Sequence, residues 1–295
     1  MPDENPFLCL SETAWVSAGP TNIGIVNFGA DVYLIDSGND KDAGRRLLKA
    51  LRAKGWKLKA VINTHSNADH IGANAYLQNS TGCEIWAPEV EACFTENPLL
   101  EPSFLWGAYP FKELRSKFFE AKACRVNRLI NADTQLQGLQ FIPLPGHFFN
   151  QYGILTDDGV FYLADSLFGE PVLKKYGLPF IYDVEAFRGS IENIKGIDAE
   201  YYVPSHGNIV KDISETADLN LSVLSEAEED ILRLLDGGLI FEELLKEFCD
   251  LRGIALNPGQ YVLVGSTLKS ILSYLCNNSK AGYTFKENRM YWKAL

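Results

Sequence analysis

The chain has 295 residues, 46% of them hydrophobic and 22% charged, which suffices for one large domain and a small second one and excludes disordered and collagen-like classes. No run approaches the roughly 18 apolar residues of a membrane span, and MPDENPFLCL opens with acids where a secretory signal places basic residues, so a cytoplasmic protein with no membrane partner is expected. The formal charge of -11 repels a phosphate backbone and disfavours nucleic acid as a partner, and six cysteines without a C-x-x-C pair argue against a disulfide framework and a structural zinc site.

From Thr21 the pattern is short apolar runs ending in turn residues. Asn22 to Phe28 and Val32 to Ile35 read as strands, the second closing on Asp36-Ser37-Gly38. Lys41 to Ala53 carries Ala43, Leu47, Leu48 and Leu51 at helical spacing and leads into a strand at Leu58 to Ile62. A helix after His70 and a strand at Cys83 to Ala87 continue the alternation, so an α/β fold is expected. Asn97 to Phe119 reads as irregular. Its aromatics, Trp106 and Tyr109 among them, are either a loop packing on itself or one wall of a substrate pocket.

Strands return at Leu136 to Pro143, Tyr152 to Thr156 and Val160 to Leu163, the last two joined by Asp157-Asp158-Gly159 as a tight hairpin. A second loop rich in aromatics, Phe168 to Tyr182, precedes a helix at Val184 to Ile194 and a strand at Tyr201 to Val203. Composition shifts near Ser214. Helices are expected at Thr216 to Leu235, Phe241 to Leu251 and Pro258 to Leu275, the last with Asn257 as N-cap and Pro258 in its first turn. A hairpin turning near Glu287-Asn288 closes the chain. Three helices and a hairpin make residues 214–295 a helical, winged-helix-like domain after a first domain at residues 1–213. A basic tail (Lys280, Lys286, Arg289, Lys293) reads as solvated surface charge, with packing or homodimer formation as the domain's expected role.

The chain has four histidines, His65, His70, His147 and His206, and each follows a predicted strand. His65-Ser66-Asn67-Ala68-Asp69-His70 puts two imidazoles and a carboxylate in one turn between strand and helix, where α/β folds place ligands. Asp165, in Leu163-Ala164-Asp165-Ser166, sits at another expected strand end. Neutral imidazole and carboxylate together suit zinc, iron or manganese.

These motifs, in this order over residues 20–210, resemble those of the metallo-β-lactamase superfamily: H-x-H-x-D-H, Pro-Gly-His, a strand-end Asp, and a final Ser-His-Gly, with Asp36 matching an early strand-end Asp. The resemblance implies an αββα sandwich with a metal site at one edge of the two sheets. It assigns His65 and His147 to a first metal and Asp69, His70 and His206 to a second, with Asp165 as a bridge. Asn67 replaces the second motif histidine and offers only a weakly donating amide oxygen. Zinc, as one or two ions, is the implied cofactor, with iron or manganese as alternatives. The implied reaction is hydrolysis of a small ester, thioester or lactone by metal-activated water, with Asp69 catalytic and Trp106, Tyr109, Phe168 and Tyr182 bordering the substrate. The alternatives are a non-catalytic metal-binding or sensor protein and a nuclease-type phosphodiesterase using the C-terminal domain. The flavin-coupled di-iron reductases of the superfamily usually carry glutamate at the position of Asn67 and a flavodoxin-like domain, both lacking here.

Overall fold

The computed structural model describes residues 7–295; the N-terminal acids Asp3 and Glu4, on which the leader reading rests, lie outside that range. Seven strands pair in chain order: β1 (Leu8–Cys9), β2 (Ala14–Ser17), β3 (Ile23–Phe28), β4 (Asp31–Ile35), β5 (Lys57–Ile62), β6 (Glu84–Pro88) and β7 (Arg128–Ile130). The sheet is antiparallel up to β4 and parallel from there on. A second sheet has the order β11-β10-β9-β8, from β8 (Leu139–Pro143), β9 (Tyr152–Thr156), β10 (Val160–Phe168) and β11 (Tyr201–His206). Only β10 and β11 run parallel within it.

The two sheets face each other across one apolar layer. Val16, Val26, Ile35, Ile62 and Trp86 come from the first and Phe141, Ile154, Tyr162 and Val203 from the second. The outer face of the first sheet is covered by α1 (Lys41–Ala53), which is followed by α2 (Ala68–Ile71), and by α3 (Asn74–Thr81). Leu47, Leu51 and Leu77 there pack on Ile25, Leu34 and Ile85. Asp40 caps α1, its Oδ1 accepting from the N–H groups of Asp42 and Ala43. Helices α4 (Glu89–Glu96), α5 (Leu100–Trp106) and α6 (Glu170–Tyr176) lie in the long connections. The outer face of the second sheet is covered by α7 (Val184–Lys195) and α8 (Ser214–Leu234), which completes the αββα sandwich.

The C-terminal helices do not form a core of their own. Leu163 and Leu167 of β10, Phe187 and Ile191 of α7, Leu224 and Ile231 of α8, Phe248 of α9 (Phe241–Arg252) and Leu268 and Leu272 of α10 (Pro258–Asn277) belong to one buried cluster. Asn257 caps α10 as expected, accepting from the Gln260 N–H. The closing hairpin of β13 (Ala281–Lys286) and β14 (Arg289–Ala294) turns at Glu287 and Asn288, both at positive φ (51° and 59°), a type I′ turn. A two-residue strand, β12 (Leu239–Ile240), pairs with β14.

Three expectations are corrected, and three strands were not foreseen. The segment 97–119 is not wholly irregular, because α5 forms there with Pro102 in its first turn, where the missing N–H has no intrahelical acceptor to serve. The 168–182 loop contains α6. Strands β1, β2 and β7 carry too little alternation to stand out in the sequence. Strand β10 runs past Leu163 to Phe168, so Asp165 lies inside a strand rather than at its end; Ala164 beside it takes φ 53° where the register with β11 shifts. No helix among the described residues is long and apolar enough to cross a membrane.

Candidate metal centre

The centre lies at one edge of both sheets and is assembled from loops that steric constraints hold in place. His65 and Asn67 fall in the turn between β5 and α2, and Asp69 and His70 open α2. His147 follows Gly146, whose φ is 124° and where a Cβ would come within 2.2 Å of the Phe187 backbone nitrogen; no other residue fits. His206 ends β11. Asn22 anchors the following turn, its Nδ2 donating to the carbonyls of Pro204 and Gly207, each at 2.9 Å.

All four imidazoles are oriented through Nδ1. His70 Nδ1 donates to Asp36 Oδ2 (2.8 Å), His147 Nδ1 to the Phe180 carbonyl (2.9 Å), and His206 Nδ1 to the Pro20 carbonyl (2.8 Å). His65 Nδ1 lies 3.0 Å from Thr64 Oγ1, which itself donates to Asp36 Oδ2 and so accepts from the ring. Each ring therefore turns Nε2 inward, the orientation that hydrogen-bond acceptors behind metal-binding histidines impose; on His70 and His206, where the carboxylates favour a proton at that nitrogen, an ion would take the proton's place. The inward atoms crowd around two carboxylates. Asp165 Oδ1 is 3.3 Å from His70 Nε2, and its Oδ2 is 3.6 Å from His147 Nε2 and 3.4 Å from His206 Nε2, which in turn is 3.1 Å from Asp69 Oδ2.

These spacings are those of adjacent corners around one ion, since bonds of about 2.1 Å put neighbouring donors about 3.0 to 3.4 Å apart. Three groups bring their donor atoms within 4.8 Å of one another: His65/His147/Asp165, Asp69/His70/His206 and Asp36/His65/His70, the last including the carboxylate that orients His70. His65 Nε2, His70 Nε2 and Asp165 Oδ1 are buried and have no hydrogen-bond partner. Buried polar atoms left without partners are costly, and a cation among them satisfies all three at once.

Comparison with known proteins places the chain in a family. A sequence profile of the metallo-beta-lactamase superfamily matches residues 16–206. The chain belongs to the metallo-beta-lactamase superfamily. A beta-lactamase domain protein from Burkholderia ambifaria superposes with a TM-score of 0.78 at 13% identity, covering 100% of this chain and 95% of that one. A metallo-beta-lactamase family protein from Thermus thermophilus gives 0.72 at 17% identity, covering 97% of each. A hydroxyacylglutathione hydrolase from Rhodopseudomonas palustris is 28% identical over 147 residues, 48% of each chain. One from Methylococcus capsulatus is 49% identical over 39 residues, 13% of this chain and 15% of its own. The chain thus spans about half the length, or less, of these curated relatives.

Charge in this superfamily site is distributed unevenly. Desolvation opposes protonation of His70 and His206, but the neighbouring carboxylates, Asp165 foremost, override it and hold both well above the ordinary histidine range. Burial lowers His65 and His147 instead, His65 strongly. Desolvation raises the carboxyls of Asp165 and Asp69, yet their histidine neighbours hold both well below the usual carboxylate range. Asp69, 32% exposed, is the open side of the centre, and Thr21 Oγ1 donates to its Oδ2.

Of the predicted pocket residues, Phe168 packs against His147 and lies parallel to the His206 ring. Trp106 and Tyr182 line a cavity of about 450 Å³ with Phe104, Lys269 and Ser270, separated from the imidazoles by the Phe180 and Phe148 rings. Tyr109 is exposed and accepts from Arg115, outside that cavity. Sequence reasoning missed Thr64, Phe180 and Glu101. Phe180 acts through its carbonyl, which leaves no sequence trace. Glu101, flanked by Leu99, Leu100 and Pro102, carried one faint signal, a lone carboxylate in an apolar run. It is 5% exposed and accepts from Asn67 Nδ2 at 2.8 Å, and burial pushes its carboxyl well above the usual range.

Proposed function

We propose that the chain is a metal-dependent hydrolase of small acyl substrates, thioesters first, with esters and lactones as chemical neighbours. The observation that carries this reading is the set of inward-turned imidazoles and carboxylates with His65 Nε2, His70 Nε2 and Asp165 Oδ1 unsatisfied. Similarity to hydroxyacylglutathione hydrolases, over about half their length, supports the thioester class. His65, His147 and Asp165 would hold one ion and Asp69, His70, His206 and the shared Asp165 another, with zinc the preferred metal and iron or manganese the alternatives. Such ions supply Lewis acidity and activation of water at neutral pH.

The chain's own residues do the rest. Asp69, kept ionised by His70 and His206, orients the attacking water and accepts its proton at Oδ2. Phe168 and Phe180, packed on the imidazoles, exclude bulk water and strengthen the electrostatics of the site. Residues 214–295, in the order helix, short strand, two helices and hairpin, form a winged-helix-like unit that serves packing rather than nucleic-acid binding.

The test is a panel of acyl thioesters, aryl esters, lactones and an aryl phosphodiester, run on protein supplied separately with Zn(II), Fe(II) and Mn(II). Thioester hydrolysis should fall by about 100-fold or more in Asp69→Ala. Phosphodiester cleavage without acyl hydrolysis would replace this reading with the nuclease one; bound metal with no turnover of any substrate would favour the sensor.

A further inference from the structure

Asn67 falls where the motif resemblance expects an imidazole, and its amide is gripped from both ends. Nδ2 donates to Oε1 of the buried Glu101 carboxyl, and Oδ1 lies 2.9 Å from His147 Nε2. The Nδ1 of that ring already donates to Phe180, so a neutral His147 presents a lone pair at Nε2, and an amide oxygen has only lone pairs to offer. Two acceptors turned on each other repel unless a cation stands within reach of both. Asp165 Oδ2, 3.6 Å from the same nitrogen, is a further donor to that point.

We infer that Glu101 is a positioning residue: it fixes the Asn67 amide with Oδ1 inward, making that oxygen a donor to the ion held by His65, His147 and Asp165. The inference rests on the metal reading above and deepens it. Both ions would then see matched donors, two imidazole nitrogens and two oxygens each. Exchanging an imidazole for an amide oxygen moves the first position away from zinc and toward harder ions such as manganese.

The experiment titrates metal-free protein with Zn(II) and with Mn(II) by calorimetry, checked by elemental analysis after dialysis. Wild type should take up two ions. Glu101→Leu and Asn67→Ala should each weaken one ion by about 10- to 100-fold and leave the other unchanged, which also reports an intact fold. The double variant should be no worse than either single one, because both break the same contact. Glu101→Gln, whose amide oxygen can accept the same hydrogen bond, should retain both ions, and Asn67→His should raise the zinc-to-manganese preference of the weakened position. If Glu101→Leu fails to fold, Asn67→Ala and Glu101→Gln carry the comparison. Unchanged affinities in Asn67→Ala, or a loss in Glu101→Gln equal to that in Asn67→Ala, would overturn the assignment. Absence of any metal from wild type would instead sink the metal reading itself, so the two failures are distinguishable.

Discussion

Thr64 ties two of the four imidazoles to a single carboxylate. His65 Nδ1 donates to its hydroxyl, the hydroxyl donates to Asp36 Oδ2 (2.7 Å), and His70 Nδ1 donates to the same oxygen, while the Thr64 N–H donates to Oδ1. Asp36 sustains this at φ 64°, a conformation that surrounding hydrogen bonds must hold. The motif spacing points to the histidines and Asp36, because their residue types carry the chemistry. It could not reveal Glu101 or Phe180, which reach Asn67 and His147 only after 34 and 33 residues of chain have folded back. Glu91 is another buried carboxylate the sequence concealed; it accepts from the N–H groups of Ser66 and Asn150, and burial raises its pKa from 4.5 to about 7. Its folded pKa lies above its unfolded value, so the stability it allows is fully present below about 4.5 and is lost as the pH rises through about 7. Glu91→Gln removes that loss. Between pH 5 and 8 the unfolding free energy of the variant relative to wild type should shift in its favour by up to about 3 kcal/mol, read from urea curves at each pH.

A helix with one wet face was legible to its ends, and a strand buried throughout was legible only in part. Helix α1 alternates Leu47, Leu48 and Leu51 with exposed Arg45, Arg46 and Lys49, and its bounds coincide with those its periodicity predicts. Strand β10 is buried at all nine positions, between the sandwich core and α7 and α8, so no alternation marks its length or the kink that turns Asp165 inward. The αββα arrangement was legible through the motif resemblance alone, since strand order cannot be read from local patterns. The closing hairpin offers a test at this scale. Glu287 and Asn288 both occupy left-handed backbone that costs a non-glycine residue about 1 kcal/mol, Glu287 without the local side-chain compensation that favours Asn. The pair Glu287→Asn with Asn288→Gly should therefore stabilise the protein by about 1 kcal/mol, seen as a higher urea midpoint with an unchanged slope.

The whole molecule is joined at the segment 179–182, which runs between the metal edge and α10. Thr267, fully buried in α10, accepts from the Ile181 N–H at 3.1 Å and lies 3.2 Å from the Pro179 carbonyl, and Ser270 donates to the Tyr182 carbonyl. Between these anchors sits Phe180, whose carbonyl sets the orientation of His147. Thr267→Val keeps the shape and leaves the Ile181 N–H without its acceptor, so it should lower unfolding stability by about 1 to 3 kcal/mol. It should also weaken the His147 ion, both changes being measurable by thermal melts with and without metal. A variant that melts like wild type in both conditions would refute the coupling.

Coupling of this kind runs in both directions. If α10 steadies the ring that grips an ion, an ion steadies α10 by the same free energy. Amide protons along α10, and at Ile181 whose peptide bond carries the carbonyl that orients His147, should then exchange with solvent more slowly once metal is bound. Occupancy at the sandwich edge would thus be written into the protection pattern of the chain's last long helix.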